Sequence, residues 1–267
     1  MENPPPPLKS AFSLVELSIV LVILGLLTGG ILAGQSLIRA AELRSVSSDI
    51  QRYITATSAF RDKYFSLPGD MTNAISFWGT DATSCPNGGG ATGTCNGNGD
   101  GIIGAALVTS CENQEYWRQL SLAGLIEGKY TPNTATGCYA AMTFGSQIPK
   151  TRLGDGAVTM AFLGTVVASG VYPGNAFYPG SYGNAFVVGT YNTVNVNYLT
   201  VGYLLRPEEA WNIDTKLDDG KPGYGIVTVP IPGAYNGNCA TSATASAADY
   251  SLTVTSVACP LIVKSGY

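Results

Sequence analysis

The sequence predicts an α+β chain in which one long amino-terminal helix precedes a β-rich head. Two observations support this prediction. Residues 12–33 form an apolar run that continues without a break into a one-sided helical pattern up to about residue 64. Beyond that point, short β-like runs alternate with turns rich in Gly, Pro and Asn. Pro68 and Gly69 separate the two patterns and end the helix.

The apolar run, residues 12–33, is long enough to cross a bilayer, since it spans about 33 Å at about 1.5 Å per residue. Glu16 is the only charged residue between Lys9 and Arg39. A carboxylate in hydrocarbon costs at least ~2.5–3.5 kcal/mol, so Glu16 requires a partner or a function. Two simpler interpretations remain open, a secretory signal peptide and an ordinary signal anchor. The run is longer than a typical signal-peptide core, and an ordinary signal anchor leaves Glu16 unexplained.

The second part of the helix, residues 34–64, has a one-sided pattern. Its apolar positions recur at alternating steps of three and four, as in an amphipathic helix. These positions are Leu43, Val46, Ile50, Tyr53, Thr57, Phe60 and Tyr64. Charged side chains lie off this stripe, so we expect one face of the helix to pack against the head.

The head, residues 65–267, combines two short helices with five β-like runs. One helix is predicted over residues 115–128 and ends at Gly128, and another starts at Pro207 in the segment 206–220. The β-like runs are residues 157–164, 185–191, 196–205, 225–231 and 250–257.

The tyrosines of the head allow two interpretations. Tyr172, Tyr178, Tyr182 and Tyr191 lie among Gly, Pro and Asn. They could form an exposed aromatic loop that binds surfaces or partner subunits. Alternatively, they cover the sheet beneath long loops.

Composition excludes several classes of function. Charged residues make up 12 % of the chain, the net charge is −4 and no long basic block occurs, so nucleic acid is not an expected partner. The chain contains no histidine, which excludes Ser-His-Asp and Cys-His relays and His-ligated zinc sites. The absence of histidine does not exclude catalysis by carboxylates alone, but we predict no catalytic residue and no enzyme activity.

All six cysteines lie beyond the apolar run, and no C-x-x-C spacing occurs among them. An even number of cysteines on an exported side predicts disulfides. Six cysteines allow 15 connectivities. We favour the sequential one because short loops are the simplest to close: Cys85–Cys95, Cys111–Cys138 and Cys239–Cys259. Free buried thiols in a cytosolic protein are the alternative.

One loop of the head is a candidate calcium site. Oxygen-bearing side chains alternate and are followed by a glycine, as in the first half of an EF-hand loop, at Asn96, Asn98 and Asp100. The final Glu of such a loop is replaced by Leu107, and Glu112 or Glu115 is the candidate substitute. The alternative is an Asn/Gly-rich turn held by the predicted disulfide at Cys95.

The amino-terminal stretch AFSLVELSIVLVILGLL resembles the cleavage and methylation motif of type IV pilins and type II secretion pseudopilins. In that family a polar leader ends in a small residue, usually Gly. A Phe follows as the first mature residue, and a Glu comes four residues later. Ala11, Phe12 and Glu16 match these positions, with Ala in place of Gly. The resemblance implies that a prepilin peptidase removes residues 1–11 on the cytoplasmic side and leaves Phe12 with a methylated amine.

The resemblance also implies a pilin-like fold and a structural role. Residues 12–33 would form the transmembrane segment and later the filament core. The rest of helix 12–64 would pack on an antiparallel sheet with disulfide-held loops. The expected product is a major or minor subunit of a type IV pilus or a type II secretion filament.

Partners, localisation and the role of Glu16 follow from the same resemblance. The precursor would be a single-pass protein of a bacterial inner membrane and, after assembly, part of a periplasmic or extracellular filament. Other pilin subunits would be its partners. The Glu16 carboxylate would pair with the Phe12 amine of a neighbouring subunit. The alternative is a monomeric membrane-anchored exported enzyme or binding domain.

The family suggests a second calcium candidate in the head. Major pseudopilins bind calcium in an acidic loop of their carboxyl-terminal half. Asp214, Asp218 and Asp219 lie in that half of this chain. The alternative is a solvated acidic turn at the end of a helix.

Overall fold

The computed structural model describes seven stretches of the chain, which are residues 13–80, 93–104, 111–132, 142–166, 176–191, 199–233 and 237–267. The chain divides into two compact units, residues 1–42 and residues 43–267. The described part of the first unit is almost entirely exposed helix, and the second unit contains the hydrophobic core.

Helix α1 extends from Leu14 to Tyr64. Its most apolar window has a mean hydropathy of 2.4 and is not buried within the protein. Among the described residues, this is the one helix whose length and composition would allow it to cross a membrane. The chain therefore carries a candidate membrane anchor near its amino terminus.

In the second unit, α1 buries the stripe that the sequence predicted. Val46, Ile50, Tyr53, Thr57 and Phe60 are all buried, whereas Leu43 and Tyr64 are partly buried at the margins of the core. A fully buried apolar side chain of this size contributes about 1.5–3 kcal/mol. This face of α1 is therefore a main part of the core, and the predicted amphipathic helix is confirmed.

The residue that follows α1, Phe65, has an unusual backbone. Its φ is +55°, in the left-handed region, and its N–H donates to the Arg61 carbonyl at 2.8 Å. Glycine is usual at this position because a Cβ costs about 1–2 kcal/mol there. The Phe65 side chain is exposed, so packing does not offset this cost. Helix α2, Ile75–Trp78, lies a few residues further on.

Helix α3, Glu112–Leu122, lies inside the core and buries the Trp117 ring against Tyr53 of α1, with ring centroids 4.8 Å apart. The prediction of a helix over residues 115–128 was wrong in its bounds. The helix starts earlier, and residues 123–128 form turns that end at Gly128, where φ is +103°.

Four antiparallel strands form the sheet, β1 Ala157–Val166, β2 Gly180–Gly189, β3 Val227–Thr228 and β4 Leu261–Lys264. Their order is β1-β2-β4-β3, so β4, the last of the described strands, lies between β2 and β3. Phe186 on one face contacts the Trp117 ring, and Val187 on the other face belongs to a second apolar cluster. The predicted α+β layout is confirmed at this level.

Of the remaining predicted strands, residues 250–257 were assigned wrongly. This segment forms turns, in one of which the Val254 N–H donates to the Ser251 carbonyl at 2.9 Å. The run 196–205 is described only from residue 199, and this part forms isolated bridges, Thr190 with Gly202 and Leu205 with Cys259.

Helix α4, Pro207–Leu217, starts where the sequence predicted a helix. The Glu209 carboxylate accepts the Arg206 N–H at 2.9 Å and so caps its first turn. Of the four tyrosines singled out from the sequence, Tyr178 and Tyr182 are buried and Tyr191 is partly exposed; the two buried rings favour aromatics that cover the sheet. Tyr172 lies outside the described residues.

The predicted disulfide between Cys239 and Cys259 is present. Cys95 and Cys111 are also disulfide-bonded. Cys85 and Cys138 lie outside the described residues, so the pairings Cys85–Cys95 and Cys111–Cys138 stay predictions.

Candidate functional site

Glu16 lies in the first turn of α1, where it forms a capping box with Ser13. The Glu16 carboxylate accepts the Ser13 N–H at 2.9 Å, and the Ser13 hydroxyl accepts the Val15 N–H at 3.3 Å. Reciprocal bonds of this kind satisfy N–H groups that have no partner at the start of a helix. The pattern S-x-x-E at residues 13–16 indicates this capping box, which the prediction based on the charge of Glu16 did not include.

The capping box does not neutralise the negative charge of Glu16. One carboxylate oxygen is used by a backbone N–H within the same chain, and Glu16 forms no ion pair among the described residues. The neighbouring side chains, including Leu14, Val15 and Leu17, are apolar and exposed. Ala11 and Phe12, the other two residues of the motif, lie outside the described residues. Among the described residues, the carboxylate is thus a negative charge without an ion-pair partner on an exposed apolar stretch of helix.

A second candidate site is built around Asp70, which holds the loop of residues 96–104. Its carboxylate accepts the Gly99 N–H at 2.6 Å and the Gly101 N–H at 2.9 Å. Asp70 is buried, and burial raises the pKa of its carboxyl group, although these N–H bonds oppose the rise. Glu112, at the start of α3, holds the same loop from the other side and accepts the Gly104 N–H at 2.9 Å.

Asp70, Asp100 and Glu112 place one carboxylate oxygen each within 4.8 Å of the others. Asp100 and Glu112 were both considered from the sequence. Asn98 joins the edge of this cluster, since its amide donates to Asp100 at 2.8 Å. The side-chain oxygen of Asn96 does not belong to the cluster, because it accepts the Ile75 N–H at 3.0 Å. The three predicted loop residues therefore do not form one ligand set by themselves.

Asp70 was missed because nothing in local spacing points to it. Its partners lie about thirty residues further along the chain, as shown by the bonds from Gly99 and Gly101. Asn184 on β2 was missed for the same reason, and its side chain accepts the Ile103 N–H at 2.8 Å and donates to the Gly101 carbonyl at 2.9 Å. Only the folded sheet brings these groups to the loop.

A third candidate site, predicted from the sequence, is the carboxylate cluster Asp214, Asp218 and Asp219. Each residue places one carboxylate oxygen within 4.8 Å of those of the other two. Asp214 is fully buried on α4, where it accepts the Tyr250 O–H at 2.8 Å and the Gly220 N–H at 3.2 Å. Burial, reinforced by the two neighbouring carboxylates, raises its pKa to about 7. Asp218 is bound to the backbone N–H groups of Ile226 and Val227.

The buried position of Asp214 predicts that the head loses stability as the pH rises from about 4 to about 7. The pKa of Asp214 is about 7 in the folded head against an ordinary 3.8, so the folded state binds the proton more tightly and this contribution is lost as the pH rises through the folded value. Asp214→Asn cannot ionise and still offers an oxygen to Gly220. Without divalent cations, its unfolding free energy should fall less between about pH 5 and pH 8 than that of the wild type. Equal losses in denaturant titrations would contradict this assignment.

The described residues thus offer one lone carboxylate on an exposed apolar helix and two carboxylate clusters in the head. The Glu16 carboxylate can pair with a cation of another molecule. The two clusters consist of oxygen ligands suited to hard cations. No protein-family model matches the chain, and neither a curated protein nor a solved structure matches it.

Proposed function

We propose that this chain is a structural filament subunit of the type IV pilin or type II secretion pseudopilin kind, possessing a pilin-like head. The observation that supports it most is Glu16, a lone carboxylate in the first turn of a helix whose following residues are apolar and exposed. An exposed apolar helix needs lipid or protein around it. A filament provides protein, and it also provides a cation for the carboxylate.

The amine of Phe12 on a neighbouring subunit is the proposed cation. It becomes available only after residues 1–11 are removed, so the ion pair forms only between processed subunits. A buried ion pair contributes little net stability, but a missing partner costs about 3–5 kcal/mol. Pairing of this kind therefore selects the stagger between subunits rather than strengthening every contact.

The layout of the head supports the same proposal. The amphipathic part of α1 packs into the core beside an antiparallel sheet, and a disulfide joins residues near β4. The rival interpretation, a monomeric anchored enzyme or binding domain, shares this layout. Processing and assembly separate the two.

The first test concerns processing. We expect the mature protein to begin at Phe12 with a methylated amine, because Ala11, Phe12 and Glu16 match the peptidase motif. Intact-mass measurement of protein extracted from membranes of a host with a prepilin peptidase would show this directly. The same host without the peptidase is the control and should retain residues 1–11. A mature chain that keeps Met1 in both hosts would refute the proposal.

Calcium binding is a further proposal for the head. The cluster of Asp70, Asp100 and Glu112 supplies the hard oxygen ligands that calcium prefers. Two of these carboxylates already hold the loop through backbone N–H groups, and their mutual repulsion is unfavourable without a cation. The cluster Asp214, Asp218 and Asp219 is the second proposed site.

Calcium at about millimolar concentration should therefore raise the melting temperature of the full chain, because ligand binding stabilises the folded state. Asp100→Ala should abolish the rise if the loop is the site, since Asp100 is the exposed member of that cluster. Asp219→Ala is the matched variant for the other cluster. Thermal unfolding followed by circular dichroism, with and without a chelator, measures both. A melting temperature that calcium leaves unchanged would show that the loop is purely structural.

A further inference from the structure

A cavity of about 790 Å³ lies at the end of α1, and we call it the helix-end cavity. Ser58, Arg61, Asp62 and Phe65 line it from the helix, because they follow the i, i+3, i+4, i+7 spacing of a single helix face. Its volume lies within the range of about 300–1,000 Å³ that is usual for small-molecule sites. Neither the proposed ion pair of Glu16 nor the proposed calcium sites use these four side chains.

Hydrogen bonds hold the rest of the lining in place. Tyr267 lines the cavity, and its O–H group donates to a carbonyl of α1 at 2.9 Å and lies 2.7 Å from the Ser58 hydroxyl. Gly99 and Gly101 belong to the lining as well, and the Asp70 carboxylate accepts the N–H groups of both. The cavity is therefore built by contacts within the head, and Asp70 positions the two glycines.

Two charged side chains of the lining form no ion pair among the described residues. Arg61 lies over the Tyr267 ring at 4.9 Å, which positions the guanidinium but provides no acceptor for its N–H groups. Asp62 is exposed and also lacks an ionic partner in the described part of the chain. An unpaired charge is ordinary on a surface, but these two line the same cavity. The cavity therefore presents a charged donor and a charged acceptor side by side.

Phe65 adds an aromatic platform to the cavity. Its φ of +55° lies in the left-handed region, which glycine takes without strain, and its side chain is 93 % exposed. The ring thus gains no packing in the described head that offsets the strain. A backbone outlier at a cavity points to a function, and here it presents an apolar ring face beside Arg61 and Asp62.

We propose that the helix-end cavity binds a neutral saccharide, with the C–H groups of one sugar face on Phe65 and neighbouring hydroxyl groups on Asp62 and Arg61. The electron-rich face of an aromatic ring attracts such C–H groups. A carboxylate only accepts hydrogen bonds and a guanidinium only donates them, whereas a sugar hydroxyl does both. Hydrogen bonds to charged groups are about twice as strong as those between neutral groups. An anionic ligand would meet Asp62 and Asp70 and a cationic one would meet Arg61, so an uncharged polyhydroxyl ligand suits this lining best.

Saturation-transfer NMR on the full chain tests the proposal. The protein is held in lipid nanodiscs with a chelator, because glycoside detergents would compete for the cavity and calcium is a separate proposal. The probes are the methyl glycosides of glucose, galactose, mannose and N-acetylglucosamine at about 10 mM, which detects millimolar dissociation constants. We expect saturation transfer to at least one probe, strongest at the protons of one ring face. No transfer to any probe, or transfer that empty nanodiscs reproduce, would overturn the proposal.

Two variants test the assigned contacts separately from folding. Phe65→Gly removes the strain at the left-handed position, so the melting temperature should stay equal or rise. Its affinity for the glycoside should fall about tenfold with the loss of the aromatic platform. Asp62→Asn keeps the shape of the side chain but removes the charge, and it should also weaken binding about tenfold. Tyr224→Ser and Glu208→Gln, at exposed positions outside the lining, are the matched controls and should bind as the wild type.

The outcomes distinguish this site from its alternatives. Wild-type affinity in both cavity variants would place any sugar elsewhere and overturn the assignment. Phenylalanine is the competing probe, since its ammonium and carboxylate groups would match Asp62 and Arg61. Saturation transfer to phenylalanine but to none of the glycosides would identify a zwitterion site and overturn the saccharide. The inference concerns the head alone, so a mature chain that keeps Met1 would refute the filament proposal and leave this one intact.

Discussion

Glu16→Ala is expected to keep the membrane pool unchanged or enlarge it, while the yield of sheared filaments falls at least about tenfold. Removal of a carboxylate from hydrocarbon favours insertion by about 2.5–3.5 kcal/mol. The same change leaves the Phe12 amine of a neighbour without its partner at membrane depth. An unpaired buried charge costs about 3–5 kcal/mol, which exceeds a factor of ten in subunit affinity. The two effects have opposite signs and are measured in different fractions.

The capping box requires two further variants. Glu16→Gln retains an oxygen that can accept the Ser13 N–H but carries no charge, and Ser13→Ala removes the other half of the box but keeps the charge. Loss of a cap costs about 0.5–2 kcal/mol. If pairing with an amine is the role of Glu16, the Gln variant assembles as poorly as the Ala variant and Ser13→Ala assembles nearly normally.

The opposite ranking would assign Glu16 to helix capping alone. In that case Glu16→Gln would match the wild type, and Ser13→Ala would share the defect of Glu16→Ala. A monomeric anchored protein predicts no assembly defect in any of the three. Filament yield against membrane pool for the four proteins separates these outcomes.

Removal of the Cys239–Cys259 disulfide is expected to cost the head about 2–5 kcal/mol of unfolding free energy. The disulfide closes a loop with a sequence separation of 20. Cys259 also pairs with Leu205 just before β4, and its backbone N–H donates to the Leu205 carbonyl at 3.0 Å. The bond therefore restrains the approach to the central strand. A double substitution by alanine suits this test because both cysteines are buried.

A matched control lies inside the same loop. Thr255 is exposed, and Thr255→Ala should change the unfolding free energy by less than about 0.5 kcal/mol. Denaturant titration of the oxidised proteins compares the three. A double variant within about 1 kcal/mol of the wild type would show that the loop is held by its other contacts.

The parts of the fold that sequence predicted well depend on local pattern. The stripe from Val46 to Phe60 is buried as its period requires, and α1 ends at Tyr64, just before Pro68 and Gly69. Pro207 likewise marks the start of α4. In each case the sequence signal lies within one or two turns of the helix, so neighbouring residues were sufficient to predict the structure.

The parts that failed depend on distant partners. Residues 250–257 alternate as a strand does, but the disulfide and the Tyr250–Asp214 hydrogen bond hold the segment as turns. Asp70 gives no local sign that it will bind a loop around Gly99 and Gly101. The sequence therefore led to Asp100 and Glu112 of the calcium candidate, and Asp70, which completes the cluster, became visible only in the folded head.

The strand order β1-β2-β4-β3 has a consequence for synthesis. The ribosome makes β2 and β3 before β4, yet both strands pair with β4 in the finished sheet. Until Leu261–Lys264 has left the ribosome, β3 has no partner among the described strands and one edge of β2 lacks its described neighbour. Open edges recruit other strands, so a stalled or truncated chain is a substrate for chaperones and quality-control proteases. Completion of this sheet therefore waits for the four residues of β4, which are made after both of the strands that they join.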